Sequence, residues 1–366
     1  MKIGLYGLPC AGKSFVLNNI DYLPRIEGSV EMKRRFPDFE TANDNRKNEI
    51  RKEFAKQLKN NTDSFIMDGH YAFGENIVFT ETDGELYDVF LYLYIEPSIL
   101  SSRMINSEKN KKYAKMDIEK WQDLEVKNLR KYCHLHNKDF YLIDNTSLGY
   151  FESVESILMF IKSIVNGFSC VNFAIECVKK ILENEDKQKV IKLLDGDKTI
   201  SELDTSNLIY NYTTNIFDNN FYTGYQVWLH KKEFKKKYVN NKNESINRNI
   251  NIIKLNDIVT NRIDSHSYIL TSGCGHVWNE LASKLKVECF YGNEMSADTK
   301  YFITKFLKKA GKVVEAYGDS MNEYYMLKEA NKGHLIVKSD GTVSKSLKNI
   351  DIGGIEIVRI GENERS

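Results

Sequence analysis

Two short stretches of this chain carry residue types whose spacing suits work on phosphate. Gly7-Leu8-Pro9-Cys10-Ala11-Gly12-Lys13-Ser14 matches the pattern G-x-x-x-x-G-K-S/T in full. Glycines let backbone N–H groups point inward around a β-phosphate, and a helix N-terminus adds the positive end of its dipole. Lys13 is placed to bridge the β- and γ-phosphates, and the Ser14 hydroxyl to ligate Mg²⁺. Far downstream, Val190 to Leu194 run into Asp195-Gly196-Asp197-Lys198-Thr199, two carboxylates separated by one residue after an apolar run. Alone, that second stretch is equally an acidic turn.

Each stretch needs a strand before it. Lys2 to Tyr6 reads as a strand and Lys13 to Asn19 opens a helix, which is the context the loop motif requires. Ser64 to Met67, Val89 to Ile95 and Phe140 to Ile143 read as further strands, and their alternation with helices predicts a parallel sheet covered on both faces. A second series follows at Val190 to Leu194, Tyr268 to Leu270, Val313 to Tyr317 and His334 to Val337. The expected fold class is therefore α/β, with two doubly wound parallel-sheet domains. Residues 1–165 form the first, 166–186 a helical linker and 187–366 the second. About 203–262 form a mainly helical insertion rich in Asn, Tyr and Lys.

In the first domain the strand at 64–67 runs into Asp68-Gly69-His70, which puts a carboxylate at a strand's C-terminal end, where open α/β sheets bind ligands. Asp68 suits the Mg²⁺ shell, a general base for an acceptor hydroxyl, or simply a turn before Gly69. His70 reads as structural. After YLYIEP, Arg103 stands on a helix with Lys109, Lys111 and Lys112 beyond it. The loop, the DGH strand end and Arg103 together resemble small P-loop kinases of the nucleoside monophosphate kinase type. That resemblance implies ATP and Mg²⁺ as cofactors, residues 7–14 as the donor site, and Arg103 as a lid cation acting where charge develops.

The second domain resembles haloacid dehalogenase-type phosphatases, close to the phosphoserine phosphatase pattern, in four ordered motifs. Val190 to Thr199 fits hhhhDxDxT. Tyr268-Ile-Leu-Thr271-Ser272-Gly273 is an apolar strand ending in a hydroxyl residue. Lys300 begins a helix, and Val313 to Glu323 holds Gly318-Asp319 and Glu323. The resemblance implies Asp195 as a nucleophile forming an aspartyl-phosphate and Asp197 as acid and then base. Ser272, with Thr271 as its alternative, would bind the transferring phosphoryl, and Lys300 would neutralise the site. Asp195, the backbone carbonyl of Asp197, Asp319 and Glu323 would hold a second Mg²⁺. Glu323 stands where the family more often has Asp, and Lys198 replaces a common glycine. The insertion sits at the family's first cap position, where a roof favours small substrates. Asp204 and the Lys231 to Lys237 run, otherwise a solvated helix face, are candidate substrate contacts.

The bulk numbers agree with a folded globular protein. The chain of 366 residues suits two cores, with 42% hydrophobic and 28% charged residues and 4 prolines. A net charge of +1 gives no general attraction to nucleic acid or an anionic membrane. The 6 cysteines form no CxxC pair, and no signal peptide or membrane span is read, so a cytoplasmic location is expected. Kinase then phosphatase in one chain also resembles phage-type polynucleotide kinase-phosphatases. The absence of a clear DxxR after the first helix, the near-neutral charge and the cap favour a bifunctional enzyme of small phosphorylated metabolites such as nucleotides or sugar phosphates. Nucleic acid end repair, and a phosphatase with a regulatory ATP-binding domain, are the alternatives.

Overall fold

The structure, a computed structural model, describes residues 1–144, 151–184, 190–238 and 250–360. The last two residues expected of the linker, 185–186, and 239–249 of the expected insertion lie outside the described residues. The chain divides into two compact units, Met1–Phe168 and Ser169–Ser366.

The first unit is a five-stranded parallel sheet in the order β2-β3-β1-β6-β7, with β1 Lys2–Tyr6, β2 Arg25–Ile26, β3 Phe65–Asp68, β6 Val89–Tyr94 and β7 Asp139–Asp144. A short hairpin pairs β4 Ala72–Phe73 with β5 Asn76–Ile77. The central strands are nearly continuous apolar runs because helices cover both faces: Val89 to Leu93 of β6 are all buried. The helices are α1 Lys13–Asn18, α2 Gly28–Arg35, α3 Asp44–Asn60, α4 Glu81–Leu86, α5 Pro97–Ile105, α6 Ile118–His136 and α7 Phe151–Val165. Helix α6 starts where the Asp117 side chain accepts the Lys120 N–H and stops at Asn137 in the left-handed region. Strands are laid down on one side of β1 and then on the other. The loop after β1 therefore opens where the winding reverses, the place at which such sheets take ligands.

The second unit repeats that logic. Its six parallel strands run β10-β9-β8-β11-β12-β13, with β8 Val190–Leu194, β9 Ser267–Thr271, β10 Glu288–Tyr291, β11 Val313–Gly318, β12 Lys332–Val337 and β13 Glu356–Arg359. Its helices are α8 Cys170–Glu183, α9 Thr205–Tyr210, α10 Gly224–Tyr238, α11 Asp257–Thr260, α12 Gly275–Leu285, α13 Ala297–Lys309 and α14 Met321–Glu329. Strands β9 and β11 flank β8, so the ends of these three strands, and the residues that follow them, converge on one edge.

The expected linker needs correction. Its helix, α8, is an integral layer of the second unit: Val171, Ala174, Cys177, Val178 and Ile181 share a buried cluster with Phe302, Ile303 and Leu307 of α13. Five apolar residues on one helical face cannot stay in water, since burying each large one contributes roughly 1.5–3 kcal/mol. Strands β10 and β13 were not read from the sequence; both are four-residue edge strands with exposed positions, too short for a clear alternation. Among the described residues, no single helix is long and apolar enough to cross a membrane.

Candidate active sites

In the first unit the loop 7–14 leaves β1 and returns as α1. Gly12, at the N-cap of α1, has φ 92°, a left-handed value that favours glycine. Ser14 is exposed at the head of that helix, and Lys13 is buried. The Lys13 ammonium folds over its own loop, donating to the carbonyls of Gly7 at 2.5 Å and Leu8 at 3.1 Å. Burial pushes it down to about 8, against the pull of the Asp68 and Glu125 carboxylates. Asp68 ends β3 as expected and is oriented by the Gly28 N–H, which donates to its Oδ1 at 2.7 Å.

Arg103 lies in the last turn of α5. From the segment that follows, Asn110 reaches the loop, its Nδ2 lying 3.3 Å from the Cys10 Sγ. Lys13 and Lys109 both act on His70, whose imidazole is held neutral mainly by burial. His70 packs against Phe73 at 4.7 Å between ring centroids. His70, expected to be structural, and Glu125, not singled out from the sequence, are both within electrostatic reach of Lys13.

Glu125 is fully buried and accepts from the Ala72 N–H at 2.9 Å, the Tyr92 hydroxyl at 2.9 Å and the Trp121 Nε1 at 3.1 Å. Burial outweighs these donors and lifts its carboxyl to about 7. A folded-state value raised from 4.5 means that protonation favours the folded form. That contribution is complete below about 4.5 and is lost as pH rises through about 7, up to roughly 3 kcal/mol in all. Thermal unfolding from pH 5 to 8.5 should show this loss, and Glu125→Gln should flatten it.

In the second unit, Asp195 follows β8 and Asp319 follows the neighbouring β11, so parallel pairing places them side by side. Gly318 permits this geometry, because a Cβ there would lie 2.3 Å from the Cβ of Glu323. Carboxylate oxygens of Asp195, Asp319 and Glu323 all lie within 4.8 Å of one another. Lys300, from α13, is fully buried and donates at 2.6 Å to both Asp195 Oδ1 and Glu323 Oε1. The Ser320 hydroxyl donates to the other Glu323 oxygen at 2.7 Å.

The charges report a deficit of positive charge. Burial and then the Glu323 carboxylate push Asp195 well up, against Lys300. Burial and Glu323 lift Asp319 to about 8, with Lys198 and Lys300 opposing. Burial alone would pull Lys300 down, but Asp195 and Glu323 outweigh it and hold its ammonium above the usual range. Three carboxylates and one ammonium, all oxygen donors on the acidic side, fit a hard divalent cation. Removing the ammonium leaves buried carboxylates uncompensated, so Lys300→Ala should destabilise the second unit by about 3–5 kcal/mol, read from urea midpoints.

Asp197 stands beside this cluster, its Oδ1 accepting the Thr205 N–H at 2.7 Å. Burial, reinforced by Asp204, lifts it to about 6. Ser272 also lines the site. Its hydroxyl donates to the Met295 carbonyl at 2.5 Å and accepts from Asn322 Nδ2 at 3.3 Å. Thr271 Oγ1 instead accepts the Gly273 N–H at 2.9 Å. Asp204 lines the same cavity and also has a local task, capping α9 by accepting the Asn207 N–H at 3.0 Å. Of the basic run, Lys231 turns inward and donates to the Gly273 carbonyl, and burial pushes it down to about 8. Lys235, Lys236 and Lys237 remain exposed.

The chain is thus an α/β protein with two parallel-sheet units, each gathering charged side chains at the C-terminal edge of its central strands. No protein-family model matches its sequence, and no curated protein matches it. Among solved structures it is similar to shikimate kinase from Bacteroides thetaiotaomicron, at 15% identity and a TM-score of 0.33 over 45% of this chain and 98% of that one. Shikimate kinase from Acinetobacter baumannii in complex with shikimate gives 16% and 0.33 over 46% and 95%. Shikimate kinase from Aquifex aeolicus gives 19% and 0.29 over 46% and 100%.

Proposed function

We propose that the chain is a bifunctional phosphotransfer enzyme, an ATP-dependent kinase of small hydroxyl compounds followed by a phosphatase of small phosphomonoesters. The observation that carries this reading is the Lys300 bridge between Asp195 and Glu323, with Asp319 in the same cluster and Asp197 alongside.

In the phosphatase, an Asp195 oxygen attacks phosphorus, forming an aspartyl-phosphate as the bond to the leaving oxygen breaks. Asp197, protonated at its raised value of about 6, gives its proton to that leaving oxygen. Its carboxylate next takes a proton from water, whose oxygen attacks phosphorus and releases inorganic phosphate, restoring Asp195. Lys300 holds the nucleophile in place and balances its charge, and Ser272 would bind the phosphoryl oxygens by turning its hydroxyl from the Met295 carbonyl. Asp195, Asp319, Glu323 and the Asp197 carbonyl would hold Mg²⁺, which would offset the anionic charge of the phosphoryl group.

In the kinase, residues 7–14 bind the ATP phosphates, Lys13 follows the γ-phosphoryl, and Ser14 with Asp68 would complete a Mg²⁺ shell. Asp68, fixed by Gly28, is also within the same strand-end site as a base for the acceptor. Arg103 is assigned to the lid.

The test uses the full chain with γ-labelled ATP and a panel of nucleosides, nucleotides, sugars and 5′-hydroxyl oligonucleotides, with phosphate release from phosphomonoesters measured in parallel. Label transfer to a small acceptor supports the reading. Transfer to the oligonucleotide alone would replace it with nucleic acid end repair, and ATP binding without transfer would leave a regulatory domain.

A further inference from the structure

We infer that the cavity above Asp195 takes phosphomonoesters whose leaving group is flat, aromatic and uncharged, with free nucleoside monophosphates as the substrate class. This rests on the phosphatase reading above.

The cavity is about 590 Å³, a size suited to a small molecule. Its floor is the Asp195, Asp319 and Glu323 cluster, and its wall from the inserted segment is aromatic. Phe217 and Tyr222 stack at 5.1 Å with planes 9° apart. His230 stands 5.5 Å from Phe217 and 5.2 Å from Tyr212. Tyr222 lines the same cavity as Glu323 and Asp319, and burial, then these two carboxylates, raise its phenol. Such surfaces bind flat rings by stacking, whatever the ring's exact identity.

Charge narrows the class. Among the described residues lining the cavity, the basic side chains are Lys198 and His230. Lys198 acts on Asp319, at the phosphoryl end. His230 is 8% exposed, and burial with neighbouring Lys231 pushes it down to about 4, so it is neutral at physiological pH. A leaving group carrying a carboxylate or second phosphate would meet Asp204, while the Lys231 ammonium beside His230 is turned to the Gly273 carbonyl. The His230 Nδ1 is buried without a protein hydrogen-bond partner. A buried ring nitrogen in that state costs free energy until a ligand answers it, and a heterocycle with donors and acceptors does so. Asn207 and Thr214, also on the wall, offer partners for hydroxyl groups.

The experiment compares kcat/KM of the full chain with Mg²⁺ on nucleoside 3′- and 5′-monophosphates, glycerol 3-phosphate, phosphoserine and a 3′-phosphorylated oligonucleotide. A preference for a mononucleotide of roughly tenfold or more over both aliphatic esters is expected, the size of effect that one base stack gives. Phe217→Ala should bring that ratio toward one, and Phe217→Leu, which keeps apolar volume without a ring face, should also lower it. Equal or faster turnover of glycerol 3-phosphate or phosphoserine, a ratio unmoved in both variants, or faster turnover of the oligonucleotide would overturn the inference while leaving the phosphatase reading intact. Hydrolysis of none of these esters would overturn the phosphatase reading and this inference with it.

Discussion

Asp195→Asn should abolish phosphate-ester hydrolysis, with a loss of at least ~10⁴-fold in kcat, because an amide cannot replace a carboxylate as nucleophile. The substitution is nearly isosteric, and the surroundings tolerate it. Lys300 keeps its 2.6 Å partner Glu323, and one of three mutually repelling carboxylates becomes neutral. Folding should therefore survive, which circular dichroism and an unchanged unfolding midpoint would check. ATP-dependent transfer by the first unit should be unaffected. Retained turnover on a phosphomonoester would eliminate Asp195 as the nucleophile and, with it, the mechanism given above.

Lys13→Ala should lower phosphoryl transfer by roughly 10³-fold or more, because the lost ammonium acts where negative charge moves in the transition state. Its stem is buried and its amine already lies over the loop, donating to Gly7 and Leu8. Truncation leaves those carbonyls to water and removes the cation facing Asp68 and Glu125. Lys13→Met, which keeps the aliphatic stem, separates lost packing from lost charge and should show the same collapse of transfer. Phosphate-ester hydrolysis should be unchanged in both variants. Transfer within a few-fold of the natural chain would defeat the kinase assignment.

The parts of these sites that were legible in the sequence are contiguous. Gly7 to Ser14 are one uninterrupted loop, and Asp195 with Asp197 and Gly318 with Asp319 and Glu323 each follow an apolar run that could only be a buried strand. Lys300 was placed by its order among these motifs, and the structure brings it to 2.6 Å from Asp195 across 105 residues of chain. What escaped depends on distant neighbours. Glu125 sits in an amphipathic helix and looks like any polar face residue until Ala72, Tyr92 and Trp121 surround it. Lys231 looks like the later lysines of its run, but it meets the Gly273 carbonyl while Lys235 to Lys237, a turn further along the helix, lie exposed. The aromatic wall was hidden for the same reason, since Tyr212, Phe217, Tyr222 and His230 as a set follow neither a helical nor a strand spacing and meet only through the tertiary path.

Helix α8 decides where this protein can be cut. A fragment begun at β8 would contain every motif of the second site, yet it would lack the helix that covers Phe302, Ile303 and Leu307. The bared strip would make such a fragment self-associate before its chemistry could be measured. The severable joint lies upstream, between Phe168 and Ser169, where the Ser169 hydroxyl caps α8 by accepting the Asn172 N–H at 3.1 Å. Halves divided there keep each helix with the sheet that it shields.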